Sequence, residues 1–214
     1  FGIWMDWYIG WPGRLWQQSI CWVFILLSGF CVPLGHRTLK RGAQVFAAGA
    51  LVTVVTLVFM PEDRVVFGVL TFLGSAMLLT GVLEPLLKKI PPAAGLAVSA
   101  VLFALCYSVS SGWVGVGSWK LLLPQGLYAN YLTAFFGFYP EGFFSTDYFP
   151  LVPWLFLFWA GYYLHKAVGR RRMEPLRRSV CAPLGWMGRH SLVLYLLHQP
   201  VLYGVLNSVF YLLR

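Results

Sequence analysis

Residues 198–200 read His-Gln-Pro and stand inside the apolar run LYLLHQPVLYGVL, 194–206. Burying two polar side chains in lipid costs free energy, and Pro200 leaves the carbonyl of Leu196 without its helical donor. Histidine exchanges protons near neutral pH, and intramembrane polar residues mark ligand or proton paths. The plainer reading is a proline bend, with His198 and Gln199 bonded to neighbouring helices. A second polar group lies in STDYFPLVPW, 145–154. Asp147 stands where it can cap the helix that follows. Capping alone explains neither the pair Pro150 and Pro153 nor Trp154. The third region is the Gly- and aromatic-rich segment 110–147, whose part 127–139 is expected to form a short interfacial helix. Its aromatic faces can stack on sugars, although interfacial anchoring explains most of them.

Such residues need a scaffold, and composition names it. Hydrophobic residues make up 59% of the 214, charged residues 11%, and the mean hydropathy is +0.71. These values exclude a soluble domain and point to an all-α, polytopic membrane bundle. Six spans are expected, at 16–35, 42–60, 65–84, 93–109, 148–168 and 190–212, in a single integral-membrane domain without internal repeats. Ala43, Ala47 and Ala50 in the second span, and Ala93 and Ala97 with Gly95 and Ser99 in the fourth, are small residues at helical spacing. They predict close-packed helix faces.

Charge predicts orientation. Arg37, Lys40 and Arg41 fall between spans one and two, and Lys88 and Lys89 between three and four. Lys166, Arg170, Arg171, Arg172, Arg177, Arg178 and Arg189 fall between five and six. That places 12 of the 16 Lys and Arg residues on one side, leaving Arg14, Arg64, Lys120 and Arg214 on the other. The positive-inside rule makes the first side cytoplasmic and the 110–147 segment external. The net charge of +9 therefore reports topology and calls for no nucleic-acid partner. The basic inner face suits anionic lipid or a phosphorylated ligand. An external start at FGIWMDWYIGWPG, without a leader, predicts a seventh span upstream.

Cys21, Cys31, Cys106 and Cys181 form no CxxC and read as small buried hydrophobes. No zinc pattern, P-loop or dinucleotide fingerprint occurs, so no metal is expected.

Four stretches carry a resemblance: WQQSICWVFILLSGF (16–30), VVFGVLTFLGSAMLL (65–79), STDYFPLVPWLFLFWAGYYL (145–164) and GRHSLVLYLLHQPVL (188–202). In this order they resemble bacterial membrane proteins related to heparan-alpha-glucosaminide N-acetyltransferase. D-Y-F-P-L-x-P-W and G-R-x-S-L…Y-x-x-H-Q-P are the specific signatures. Members of that family carry a preceding helix with an Arg-Gly element and a His followed by an aromatic-Asp pair. Thr71 stands where many bacterial relatives have His. The resemblance implies transfer of an acetyl group from cytoplasmic acetyl-CoA to an amine or hydroxyl of an external sugar or glycan. It also implies a bacterial inner-membrane location and suggests a homodimer.

Acyl transfer needs a base for the incoming nucleophile and donors for the oxyanion. Asp147 and His198 are the catalytic candidates, although the histidine favoured in relatives lies in the upstream helix. Trp154, Tyr148 and Gln199 are candidates for the substrate. Arg189, Arg172 and Tyr195 are candidates for the donor, since arginine's planar fork suits phosphate; lipid-headgroup anchoring is the alternative for Arg189. A proton-coupled transporter with His198 as relay is the rival function, and a structural or assembly subunit the third. No inverted repeat or matching pair of broken helices supports transport.

Overall fold

A computed structural model describes residues 10–173 and 182–212. It is mostly helical. In chain order the described helices are α1 (Trp11–Cys31), α2 (Thr38–Phe59), α3 (Val69–Leu87), α4 (Pro92–Cys106), the one-turn α5 (Tyr131–Ala134), α6 (Leu151–Met173), α7 (Ala182–Arg189) and α8 (Ser191–Leu212). A hairpin of β1 (Trp113–Val116) and β2 (Trp119–Leu122) stands between α4 and α5. The chain divides into two compact units, Phe1–Val168 and Gly169–Arg214.

Among the described residues, four helices are long and apolar enough to cross a membrane: Trp11–Leu34 (α1 with its 3-10 extension), α2, α3, and Pro92–Ser111 (α4 with its extension). Prolines mark the starts of two of them. Pro12 and Pro92 fall in the first turn, where the absent N–H has no helical partner to lose. α6 and α8 have the length of a span, at 23 and 22 residues. Each interrupts its apolar run with polar groups, His165 and Lys166 in α6, His198 and Gln199 in α8.

The first unit is organised around α3 and α6. Half of α3's apolar window is buried, against 17% for α1, 11% for α2 and 17% for α4. Phe72, Leu73 and Ala76 of α3 meet Leu155, Phe158, Tyr162 and Tyr163 of α6 in one core, joined by Ile25 of α1. Backbones approach where glycine permits. A Cβ on Gly29 would stand 1.9 Å from the Phe158 carbonyl oxygen, and one on Gly161 would stand 2.0 Å from that of Leu26. α2 and α3 meet likewise at Gly49 and Gly74.

The small-residue faces differ from those expected. Ala43, Ala47 and Ala50 are exposed, and Gly42 and Gly49 make the packing face of α2. In α4, Gly95 and Ser99 are buried while Ala93 and Ala97 are exposed. Glycine wins because removing Cβ brings helix axes closer than alanine can. Cys31 is exposed, and Cys21 and Cys106 are half-buried; Cys181 lies outside the described residues. Over the helix expected at 127–139 stand the end of a 3-10 turn, Gln125–Tyr128, and the one-turn α5, and Gly137 at φ 116 ends the helical path.

Candidate functional site

Asp147 does cap a helix, but a different one from that expected. Its Oδ2 accepts the backbone N–H of Val69 at 3.0 Å, the first residue of α3. The residue before, Gly68, offers no side chain of its own. A Cβ there would lie 2.8 Å from Asp147 Oδ2 and 2.7 Å from the Val65 side chain, so only glycine admits the carboxylate.

A ladder of contacts holds Asp147 in place. The Thr146 N–H donates to the Arg64 carbonyl at 3.1 Å, and the Phe149 N–H to the Phe67 carbonyl at 3.0 Å. Ser145 Oγ accepts the Val66 N–H at 2.9 Å. Arg64 Nε donates to the Phe144 carbonyl at 3.1 Å, and Thr56 Oγ1 of α2 accepts the Val65 N–H at 3.0 Å. Segment 144–149 is thereby laced along 64–69.

Burial holds the Asp147 carboxyl above the usual carboxylate range, and the Val69 N–H, favouring the anion, offsets part of that rise. The N-terminal end of α3 also favours negative charge. The result is a fixed carboxylate with raised proton affinity, the character of a general base.

The two aromatic candidates beside it are engaged in packing. The Tyr148 hydroxyl donates to the Ala134 carbonyl, and its ring meets Phe143 and Tyr139 at 5.1 and 5.6 Å. Trp154 packs against Phe149 and Phe103, at 5.4 and 5.8 Å.

The other end of α3 carries a site that sequence reasoning missed. Lys166 Nζ and Tyr163 Oη of α6 both donate to the Leu87 carbonyl, at 3.4 and 3.2 Å. Positive charge and donors thus meet the C-terminal end of α3, as Asp147 meets its start. Segment 147–166 clamps α3 at both ends, about 27 Å apart at 1.5 Å per residue.

Beside Lys166 opens a cavity of about 250 Å³, lined among others by Thr38, Thr80, Glu84, Lys88, Tyr162 and Lys166. Lys88 pairs with Glu84 at 2.8 Å, and Lys166 lies over the Tyr162 ring, 4.7 Å from its centroid. Trp159 Nε1 donates to Thr80 Oγ1 at 3.0 Å close to the inner wall. In sequence Lys88 and Lys166 count only as members of a basic inner face, without a partner or a place in a cavity. The available signal was Glu84, an acid near the end of an apolar run and four residues before a lysine.

In the second unit, α8 runs unbroken through Pro200. His198 Nδ1 pairs with the Tyr195 carbonyl one turn back, and the two rings stand 5.4 Å apart. Arg189 ends α7, beside His190, whose ring lies 4.6 Å from that of Trp186. The side chains of Gln199 and Arg172 lie outside the described residues. Asp147 and His198 belong to separate units. Among the described residues, no three His, Cys, Asp or Glu side chains converge as metal ligands do.

The family model for heparan-alpha-glucosaminide N-acetyltransferase, catalytic, matches residues 1–200. No curated protein and no solved structure matches the chain.

Proposed function

The chain belongs to the heparan-alpha-glucosaminide N-acetyltransferase catalytic family, and from that premise we propose that it moves an acetyl group from cytoplasmic acetyl-CoA to an amine or hydroxyl of a sugar across the membrane. The observation that carries this reading is the two-ended clamp on α3: a fixed carboxylate of raised proton affinity at one end, and a cation-lined cavity at the other.

In this proposal residues 1–214 cross a bacterial cytoplasmic membrane six times, α6 and α8 being spans in addition to α1–α4. The cavity beside Lys166 opens to the cytoplasm, where the excess of Lys and Arg falls. Lys88 and Lys166 draw the donor's phosphates. Thr80, on the cavity wall, stands about 17 Å along α3 from Val69, and the donor's extended acyl arm covers that distance.

Asp147 takes the proton of the acceptor amine or hydroxyl while that atom attacks the acetyl carbonyl. The new C–N or C–O bond forms, the C–S bond breaks, and the proton passes from Asp147 to the departing thiolate. His198 and Tyr195, in the H-Q-P signature region of the second unit, are assigned to the donor by the family resemblance alone. Tyr148 and Trp154 shape the acceptor side.

The test uses sealed proteoliposomes with acetyl-CoA on one face only and glucosamine, as probe acceptor, on the other. Acetylated glucosamine appearing opposite the donor supports the proposal. Glucosamine flux without acetylation would instead support a permease.

A further inference from the structure

The hairpin between α4 and α5 has no part in the mechanism above, yet it is built for a particular surroundings. In its register Trp113 faces Leu122, Val114 faces Leu121, Gly115 faces Lys120, and Val116 faces Trp119. The connecting pair is Gly117-Ser118, with Gly117 at φ 62, a left-handed conformation that glycine adopts without strain. Side chains alternate along strands. Val114, Val116, Trp119 and Leu121 therefore share one face, which is wholly apolar. Trp119 is 88% exposed, Leu121 70% and Val116 55%.

The opposite face holds Lys120, the only charged residue in 107–139. Lys120 stands across from Gly115, and with no side chain in its way it reaches back over Trp113, its Nζ 4.6 Å from the ring centroid. The hairpin's charge is thus drawn away from the apolar face.

Position supplies the remaining argument. β1 packs against α4, one of the four helices fit to cross a membrane. α4 also presents exposed Val98 and Val101. α4 ends at the Asp147 end of the unit, where Phe103 meets Trp154 and the Tyr128 hydroxyl meets the Val109 carbonyl. An apolar sheet face beside a spanning helix, with tryptophan on both faces and a single snorkelling lysine, has the composition of a membrane-interface anchor.

We propose that the Trp113–Leu122 hairpin lies in the lipid interface beside α4, with Val116, Trp119 and Leu121 among the lipid acyl chains and Lys120 at headgroup level. The occupant of the apolar face is lipid. This inference rests on α4 crossing the membrane and is independent of the acetyl-transfer reading.

The test places single cysteines at positions 119, 120 and 121 in a cysteine-free full-length chain. Each is labelled with an environment-sensitive fluorophore and reconstituted in phosphatidylcholine–phosphatidylglycerol vesicles. A label at Val98 of α4 is the control. Lipids spin-labelled on the acyl chain should quench positions 119 and 121 strongly and aqueous iodide should leave them bright, with position 120 quenched by iodide and by headgroup spin labels instead. Iodide quenching at 119 and 121 while position 98 stays lipid-quenched would overturn the hairpin assignment alone. Iodide quenching at position 98 as well would overturn it together with the membrane reading of α4. Energy transfer between labels on two copies, without lipid quenching, would assign the face to a second chain and overturn it too.

Discussion

Asp147 is a residue with two duties that substitution can separate. Its side chain accepts the first free N–H of α3, so Asp147→Ala should cost about 1 kcal/mol of stability, seen as a lower melting temperature in detergent. Asp147→Asn keeps an acceptor and loses the charge. The folded-state pKa of Asp147 is raised, so the native state holds that proton more tightly than the unfolded chain does. The resulting stability is complete below the unfolded pKa and is lost as pH rises through the folded one. Relative to Asp147→Asn, the wild type should therefore lose melting temperature between acid and neutral pH. A constant difference across that range would contradict a raised pKa. The motif around Asp147 was visible in the sequence, but its partner was not. A cap and its own downstream helix are neighbours in sequence, whereas Val69 lies 78 positions away, a pairing set by tertiary packing.

Lysine 166 is the corresponding residue at the other end of α3. Lys166→Met retains the stem over Tyr162 and removes the charge, and it should weaken CoA binding about tenfold, the effect of losing one charge-assisted contact. Titration calorimetry with CoA would measure it. Unchanged affinity would remove Lys166 from the donor site. The Glu84–Lys88 pair is exposed on both sides, and breaking it should change stability by no more than about 0.5 kcal/mol.

At the scale of elements, each of the six apolar runs overlaps a long helix among the described residues, and four of these helices are long and apolar enough to cross a membrane. Runs near 20 residues have few other stable outcomes. Packing faces were harder to read, since alanine and glycine look alike in a pattern of small residues while only glycine permits backbone contact. Gly161→Ala would press a Cβ against the Leu26 carbonyl and should destabilise by about 2 kcal/mol or more. Gly126→Ala, with nothing within 4 Å, serves as the control and should leave the melting temperature in place. Equal melting temperatures for both variants would refute the α1–α6 contact. The hairpin was missed for a different reason. Its strands have four residues each and are broken by Gly115, too short for alternation to emerge from the aromatic-rich stretch around them.

For the molecule as a whole, family membership supplies the reaction class, and the long-range order of α3 and segment 147–166 supplies a physical route for it. Asp147 was legible as a candidate base, but its place at the start of α3 and the role of Lys166 at the other end were not. The inner cations had been sorted by side of the membrane, a one-dimensional count that loses which lysine meets which helix end. In the proposed reaction these residues act across one bilayer, so sidedness and chemistry must be read together. The most direct measurement is the initial rate of acetyl transfer from enclosed acetyl-CoA to external glucosamine in proteoliposomes carrying equal amounts of folded wild type or Asp147→Asn. The account predicts transfer by the wild type and a loss of about 100-fold or more in the variant, the scale of a missing general base. Full turnover by Asp147→Asn would contradict it, leaving Asp147 as the cap of α3 alone.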